Sequence, residues 1–416
     1  MRRELALIAA VLAVATPLAA RHAAAIEPLG AGEFNVKAKV DLKSLDRADF
    51  IALLTPAAQS EGGSELVFYD FADTLCDLLA KESQSFTAKT GIKVKHVCVD
   101  GDTASQQLIA AQAAGSKPPA DVFFGPNNDM RALTKAGIVA NLPLVALVPE
   151  AKDLDREAAL RSRGFEHDGT VLPFHRNQTV IAYDSAKIAL PPTGLVEIFD
   201  YAKAHDLKVA VTNPTKGGSG SGFVESALLA LAPECQKDLY DFSLSEDQAK
   251  AVAARCMPKI VSFFRERQRL IDYTNGNENS IQEIANGVVG FATVWEDDLY
   301  TLAAKGMVPK TVKPMLLASG EVGDGDGLFV LSSTDKVEAA LLYVNFLMGD
   351  QVQIDKLEQT GSRTARLDLQ TAGKIPDRLA VYLVPDQLYH ERTRPRINGL
   401  ISDAAADIFV AQVIAQ

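Results

Sequence analysis

Short apolar runs alternate with polar loops and helical segments along most of the chain. Residues 66–69, 92–99 and 121–124 have the length and apolar content of buried strands, and each run is followed by a polar loop and a helix-like segment. Successive strand–loop–helix units predict a parallel sheet covered by helices. In open sheets of this kind ligands bind beyond the carboxyl ends of the strands, so we expect these loops to meet at a binding site.

The second half of the chain repeats the pattern with different spacing. Residues 171–174 and 179–183 are predicted to be two strands separated by a polar run, 175–178. Further predicted elements are strands at 207–211, 290–295, 311–317 and 327–330, helices at 195–205, 249–270, 279–286 and 337–348, and an acidic loop at 296–298. The sequence therefore predicts a second α/β unit.

A tract rich in glycine and serine, residues 213–223 (NPTKGGSGSGF), separates the predicted strand 207–211 from a predicted helix, 224–231. Free amides and the positive end of the helix dipole favour an anionic or strongly polar ligand group at such a position. The tract thus predicts a ligand cradle that includes Ser219, Gly220 and Ser221. The alternative is a flexible turn with a serine N-cap, because both residue types are common in turns.

The amino terminus has the pattern of a secretory signal. Arg2 and Arg3 precede an uncharged apolar run at 5–15, and the small residues at 23–25 suit a signal peptidase, so residues 1–25 are predicted to be removed. The apolar run is shorter than the roughly 20 residues that a membrane span needs. An uncleaved anchor is the alternative. We expect a soluble mature chain exported to the periplasm.

Composition and charge limit the classes of protein. Of the 416 residues, 47% are apolar and 23% are charged, which is typical of a globular protein, and about 390 mature residues suit two domains or lobes. Removal of residues 1–25 takes away three arginines and one glutamate, so the formal net charge moves from −11 to −13. So acidic a surface disfavours nucleic acid as a partner.

Four cysteines, Cys76, Cys98, Cys235 and Cys256, suggest disulfides in an oxidising compartment. Three connectivities are possible. We favour Cys76 with Cys98 and Cys235 with Cys256, because each pair then lies within one half of the chain; free buried thiols are the alternative. No metal site or cofactor is predicted, because the chain lacks a Cys-x-x-Cys motif and its six histidines are scattered.

Several motifs, in order, resemble those of extracellular solute-binding proteins of bacterial ABC importers. They are residues 120–125 (ADVFFG) with 133–139 (LTKAGIV), 172–174 (LPF) before 180–183 (VIAY), 327–330 (GLFV), and the helix at 339–348. The resemblance extends from about 66 to 366. It is strongest to the branch that holds thiamine, polyamine, iron and aminophosphonate receptors.

This resemblance implies a fold of two α/β lobes joined by two crossing hinge strands, with the ligand in the cleft between them. Lobe 1 is expected at 61–175 and 320–416, lobe 2 at 176–319, and an amino-terminal extension at 26–60 with a helix near 47–58. The acidic segment 321–327 falls at the second crossing. It is predicted to be a solvated turn, with a place in the cleft as the alternative.

The resemblance also implies a set of ligand contacts, drawn from the loops after the strands of both lobes. They are Phe71, Asp73, Thr103, Asn127, Asn128, Arg176, Asn177, Ser219, Gly220, Ser221, Trp295 and Glu296. For each residue alone, turn formation or helix capping is an equally ordinary role.

The chemistry of these loops indicates a small solute that carries charges of both signs. Trp295 and the carboxylates that follow it suit an organic cation, whereas Lys216 and Arg176 suit a phosphate or carboxylate. The expected function is capture of this solute by a monomer and its delivery to an ABC permease in the inner membrane. The alternatives are a ligand receptor without transport and a secreted hydrolase using Ser219 or Ser221, although neither serine stands in Gly-x-Ser-x-Gly register.

Overall fold

Strand–loop–helix units account for most of the chain in the computed structural model, which describes residues 46–60, 65–369, 371 and 373–415. The predicted signal peptide at 1–25 and most of the extension at 26–60 lie outside the described residues. Among the helices of the described part, none is both long and apolar enough to cross a membrane.

The strands and helices follow in chain order. The strands are β1 (Leu66–Asp70), β2 (Val94–Cys98), β3 (Val122–Gly125), β4 (Arg161–Ser162), β5 (Phe165–Glu166), β6 (Leu172–Asp184), β7 (Val209–Thr212), β8 (Ile271–Thr274), β9 (Phe291–Trp295), β10 (Val312–Met315), β11 (Glu321–Val330) and β12 (Thr393–Arg394). The α-helices are α1 (Arg47–Ser60), α2 (Cys76–Thr90), α3 (Gly101–Ala113), α4 (Met130–Lys135), α5 (Leu144–Leu147), α6 (Arg156–Leu160), α7 (Leu195–Ala204), α8 (Gly218–Leu231), α9 (Gln236–Leu239), α10 (Glu246–Glu266), α11 (Asn277–Ala285), α12 (Glu296–Ala304), α13 (Val337–Leu347), α14 (Asp350–Thr360), α15 (Asp377–Ala380), α16 (Asp386–Arg392) and α17 (Gly399–Phe409).

Local signals explain several boundaries. The carboxylate of Asp100 accepts a hydrogen bond from the Thr103 amide at the start of α3, and Ser245 and Gln248 form a reciprocal capping box at the start of α10. Helix α2 ends at Gly91, whose φ of 74° is in the left-handed region that favours glycine.

The sheet has the order β2-β1-β3-β11-β6-β9-β7-β8, with β10 on β6 and β12 on β11. Strands β1, β2 and β3 pair in parallel, as do β7, β8 and β9, which confirms the predicted parallel units. The central strands β6 and β11 are antiparallel to each other, to β3 and to β9, whereas the short strand β12 pairs with β11 in parallel. The described chain therefore has the mixed α/β fold that was predicted.

Strands β6 and β11 connect the two halves of the sheet. The first part of β6 pairs with β11, and its last part, from Thr179 to Tyr183, pairs with β9. Strand β11 begins beside β12 and ends beside β3. The prediction of two strands around 175–178 is wrong, because this polar run is part of one continuous strand. The prediction of a turn at 321–327 is also wrong, because those residues pair as a strand.

One face of this strand pair carries a buried polar network. The amide of Asn127 donates to Asp326 Oδ1 (2.8 Å), and its side-chain Nδ2 donates to Asp324 Oδ2 (2.7 Å). Asn177 Nδ2 contacts Asp326 Oδ2 at 3.4 Å, and His175 Nε2 lies 2.9 Å from Asp297 Oδ2 on α12. These contacts fix the strands to loops of both halves of the sheet.

Burial changes the titration of this network. Desolvation raises the pKa of Asp326 to about 7 and lowers the pKa of His175 to about 4. Desolvation also raises the pKa of Asp297. The imidazole of His175 is therefore neutral at neutral pH, and its contact with Asp297 is a hydrogen bond rather than an ion pair.

Each half of the sheet is covered by apolar side chains on both faces. One face of the first half packs against α1, α2 and α13, through residues such as Phe50, Phe86 and Tyr343, and the other packs against α3 and α4. The second half is covered by α7, α8 and α10 on one face and by α11 and α12 on the other.

The carboxyl-terminal tail packs with the second half of the sheet. Ile401 and Phe409 of α17 belong to the same buried cluster as Phe264 of α10, and Leu379 and Tyr382 pack near α11 and α12. The assignment of all of 320–416 to lobe 1 does not fit these contacts, since burial of these apolar side chains requires the second half. The last helix, α17, begins at Gly399, and a π-helical turn follows it at Val410–Ile414.

Two disulfides join the predicted pairs. Cys76 bonds to Cys98, which ties the start of α2 to the end of β2, and Cys235 bonds to Cys256 of α10. The Cα atoms are 6.0 Å and 6.2 Å apart, respectively, within the usual range for a disulfide.

The second bridge closes a short loop, with a sequence separation of 21 residues. Replacing both Cys235 and Cys256 by alanine is therefore expected to lower the free energy of unfolding by about 3 kcal/mol, because the unfolded chain gains conformational freedom. Urea denaturation of the two proteins under oxidising conditions measures the difference. Two results together would show that this bridge does not stabilise the fold. The urea midpoint would be the same for the variant and wild type, and reductant would leave the wild-type midpoint unchanged.

Stability should also depend on pH through Asp326. Its folded pKa of about 7 lies above the unfolded value of roughly 4, so its contribution to stability is present below pH 4 and is lost as the pH rises through 7. Asp326→Asn keeps an acceptor for the Asn127 amide but cannot ionise. It should flatten the fall in unfolding free energy between about pH 4 and about pH 7, by up to about 1.4 kcal/mol per pH unit.

The matched control for this comparison is Asp77→Asn, on an exposed aspartate in the first turn of α2. Urea denaturation across the same pH range should show the wild-type slope in that variant. A wild-type slope in Asp326→Asn would mean that the buried carboxyl does not titrate in this window.

Candidate functional site

The glycine and serine tract is the start of a helix rather than a loop. Strand β7 ends at Thr212, Asn213 Oδ1 accepts from the amide (3.1 Å) and hydroxyl (3.0 Å) of Thr215, and α8 begins at Gly218. The predicted helix start at 224 is therefore wrong by about two turns. A Cβ atom at Gly220 would lie 2.1 Å from the Thr212 carbonyl oxygen, so glycine is required for this close approach.

An open cleft of about 750 Å³ lies between this helix start and the helices of the first half of the sheet. One wall consists of Asp102, Ser105 and Gln106 of α3 with the loop before α4. The facing wall consists of the β7–α8 turn with Ser221 and Asn277. Both walls follow the carboxyl ends of strands, where the topology predicts a ligand.

The lining of the cleft is charged with both signs. Its carboxylates are Asp102, Asp129, Asp403 and Asp407, and its cations are Arg163 and Lys216. Arg163 already pairs with Asp403 at 3.3 Å. Among the charged groups of the described lining, carboxylates are therefore in excess.

Two polar groups of the first wall lie side by side. Burial raises the pKa of Asp129, and a hydrogen bond from the Ser105 hydroxyl to its carboxyl acts in the opposite direction. Apart from this contact, neither Ser105 Oγ nor Asp129 Oδ2 has a hydrogen-bond partner within the described residues. A carboxylate with so few donors favours a ligand that donates hydrogen bonds.

The facing wall is built largely from residues of the glycine and serine tract. Ser221 Oγ donates to the Gly218 carbonyl (2.9 Å) and accepts from Arg396 Nη2 (3.2 Å). Ser219 is fully buried, and its hydroxyl bonds Asn277 Oδ1 at 2.8 Å and Thr212 Oγ1 at 3.1 Å. The two serine hydroxyls are thus used in placing the helix, and their partners are not catalytic bases, so nothing supports the hydrolase alternative.

Some predicted residues lie at this cleft and others do not. Asn128 and Ser221 line it directly. Ser219 and Gly220 pack behind the residues that line the facing wall. Thr103 belongs to the N-terminal cap of α3. Phe71 is half-buried with its ring 5.1 Å from that of Phe124, and Asp73 is exposed.

Asn127 and Asn177 act in the strand network described above rather than on the cleft lining. Arg176 points to the other face of the β6–β11 pair, where it lines a second cavity. The ring of Trp295 is buried against Gly218.

Glu296 is held by the protein itself. Its two oxygens accept from Arg363 Nε and Nη2 (2.9 and 3.2 Å), and Oε1 also accepts from the Val384 amide at 2.6 Å. It is 2% exposed. The prediction of a ligand-binding carboxylate is therefore not supported for Glu296, since α12 begins at this residue and turns it away.

Sequence reasoning missed several cleft residues. Asp102 and Asn277 follow strands of the parallel units, so the carboxyl-end rule applied to every strand would have found them. Arg163 and Asp403 come from a hairpin and from the tail, and only tertiary packing brings them to the cleft.

Comparisons with known proteins agree with the fold. Among solved structures, the chain is similar to the spermidine/putrescine ABC transporter substrate-binding protein of Streptococcus pneumoniae, at a TM-score of 0.62 and 14% identity over 84% of this chain and 99% of that one. It is also similar to the ferric binding protein of Campylobacter jejuni, at a TM-score of 0.55 and 15% identity over 84% and 99% of the two chains. The periplasmic binding protein AfuA of Actinobacillus pleuropneumoniae, whose structure holds fructose-6-phosphate, gives a TM-score of 0.56 and 12% identity over 85% and 99%.

At such identities the structural likeness establishes the two-lobed fold alone. Among curated protein sequences, none matches this chain. A family model described as bacterial extracellular solute-binding protein, however, matches residues 83–380, which is most of the chain. The chain therefore belongs to the bacterial extracellular solute-binding protein family.

Proposed function

We propose that this protein is the substrate-binding component of an ABC importer and that it captures a small solute carrying both a cationic and an anionic group. Family membership supports solute binding, and the name of the similar Streptococcus pneumoniae protein places that relative in an ABC transporter. The protein acts as a monomer in the periplasm after removal of residues 1–25 and delivers its solute to a permease in the inner membrane.

The observation that carries this proposal is the arrangement of charge in the cleft. Asp102 and Asp129 on the first wall suit an ammonium or similar cation. Lys216 and the amino-terminal end of α8 on the facing wall suit a carboxylate or phosphate, because the helix dipole is positive at that end. A solute with one group of each sign would contact both walls at once.

The binding movement we propose is a hinge closure about β6 and β11. The first lobe comprises the half-sheet β2-β1-β3 with its helices, and the second comprises β9-β7-β8 with its helices and α17. Closure brings the walls of the cleft together around the solute and excludes water, which strengthens each charge–charge contact.

A thermal-shift panel tests the charge requirement directly. Any ligand that binds only the folded protein raises its stability, by about 2.7 kcal/mol at a concentration of a hundred times Kd. We expect stabilisation by zwitterionic solutes such as amino acids or phosphorylated amines. Stabilisation by neutral sugars alone would contradict the proposal. Native mass spectrometry of protein purified from its own host gives the mass of any retained solute.

Opposite walls can be tested with single substitutions. Asp102→Asn and Lys216→Gln should each weaken binding of the stabilising solute by about tenfold or more, because each removes one charge-assisted hydrogen bond. Titration calorimetry measures the affinities. Both side chains are exposed, so neither change should reduce unfolding stability by more than about 0.5 kcal/mol.

Matched controls lie outside the cleft. Asp77→Asn changes an exposed aspartate in the first turn of a helix, as Asp102→Asn does, and Lys203→Gln changes an exposed lysine of the second lobe. Both controls should keep the wild-type affinity. Equal affinities in all four variants would place the solute elsewhere.

A further inference from the structure

A second cavity, of about 200 Å³, lies where the hinge strands meet the carboxyl-terminal tail, and it is rich in arginine. The lining comes from α6, β4 and the β4–β5 turn, from β6 and β11, from residues 364–367, and from α16, β12 and the two residues after it. The arginines are Arg161, Arg163, Arg176, Arg394 and Arg396. The carboxylates of the same lining are Asp155, Glu157 and Asp324. Three of the arginines also pair with carboxylates outside the lining: Arg161 with Glu166, Arg163 with Asp403 and Arg396 with Glu225.

The three carboxylates are already occupied by protein groups. Asp155 caps α6 by accepting from the Ala158 amide at 2.9 Å, and Glu157 accepts from Arg161 Nη1 at 2.5 Å. Asp324 accepts from Asn127 Nδ2 at 2.7 Å and from the Arg163 amide at 3.3 Å. Together with Glu166, Asp403 and Glu225, these carboxylates pair with three of the guanidinium groups and leave those of Arg176 and Arg394.

Two of the arginines have no carboxylate partner in the described part of the chain. Within 4.0 Å of the guanidinium of Arg176 or of Arg394 there is no carboxylate oxygen among the described residues. Arg394 Nη1 instead donates to the main-chain carbonyls of Glu391 (2.9 Å) and Thr393 (3.1 Å). Neutral carbonyls leave its positive charge uncompensated.

Buried donors around the same cavity also lack acceptors. Four atoms of its lining are buried without a hydrogen-bond partner among the described residues: Arg161 Nε, Arg163 Nε, Arg396 Nε and Thr393 Oγ1. Arg396 is 6% exposed, and its Nε is 3.6 Å from Asp324 Oδ2, which is too long for a hydrogen bond. Unsatisfied buried donors of this kind are rare in native proteins because each costs about 1–3 kcal/mol.

We propose that this cavity is a binding site for a small oxyanion, of the size and charge of phosphate or sulfate. Such an ion brings several acceptor oxygens to the donors that lack partners and neutralises the charge of Arg176 and Arg394, and arginine is the residue best suited to bind it. The ion joins the β4–β5 hairpin, both hinge strands and the tail, so its binding stabilises the hinge. This site is separate from the cleft lining except at Arg163, and the inference does not rest on the proposed function.

Titration calorimetry with inorganic phosphate tests the site on the full protein, with sodium chloride at equal ionic strength as the reference. Wild type should bind phosphate with a Kd below about 1 mM, and Arg176→Gln and Arg394→Gln should each weaken binding about tenfold or more. Arg255→Gln, on an exposed arginine of α10 that pairs with Asp238, should bind as wild type does. Phosphate binding that is unchanged in both cavity variants, or absent from wild type, would overturn the proposal.

Stability measurements keep the test decisive if one variant folds poorly. Arg394 is half-buried, and its Nη1 bonds two main-chain carbonyls, so Arg394→Gln should fold. Its melting temperature should rise less with phosphate than that of wild type. An equal rise in the two proteins would contradict the assignment.

A competition experiment distinguishes a free ion in the cavity from the anionic end of the bound solute. The distinction is needed because Arg163 lines both the cavity and the cleft. If phosphate binds to protein that is saturated with its cleft solute, the site holds an independent ion. If phosphate displaces the solute from wild type but not from Arg394→Gln, the cavity holds the anionic end of that solute. Displacement that is equal in the two proteins would place the phosphate in the cleft and contradict the proposal.

Discussion

The pairing of β6 with β11 is the contact on which the rest of the structure depends. Each strand extends from one half of the sheet into the other, so the two halves share a backbone that is hydrogen-bonded throughout. The polar face of this pair is buried, and Asn127, Asp324 and Asp326 satisfy one another across it. Because such groups are costly when they lose their partners, the network fixes the register of the strands and the position of both walls of the cleft.

The repeated units were predictable because their signals are local. The apolar runs of β1, β3 and β7 and the polar loops after them show the period and length of buried strands without any knowledge of the fold. The central strands were not predictable in the same way. Their polar residues, such as those at 175–178, interrupt the apolar pattern and become buried only because partners distant in sequence bind them. The start of α8 was missed because glycine and serine have low helix propensity, and close contact with β7 overrides that preference.

The candidate site shows the same division between local and distant signals. Asn128 and Ser221 were found because they follow strand ends in sequence, and Asp102 and Asn277 obey the same rule. Arg163 and Asp403 carry no local signal. The tail, which packs on the second half of the sheet, brings α17 to the cleft and Arg394 and Arg396 to the hinge. Contacts of the tail thus connect solute binding with the cavity rich in arginine.

Small-angle X-ray scattering of the protein before and after addition of its solute tests the central claim, that the halves close about β6 and β11 on a ligand in the cleft. The solute is the one retained from the host and identified by its mass. The account predicts a smaller radius of gyration in the complex, with a smaller decrease in Asp102→Asn at a solute concentration near the wild-type Kd. A radius that does not change while the solute binds with full affinity would contradict it.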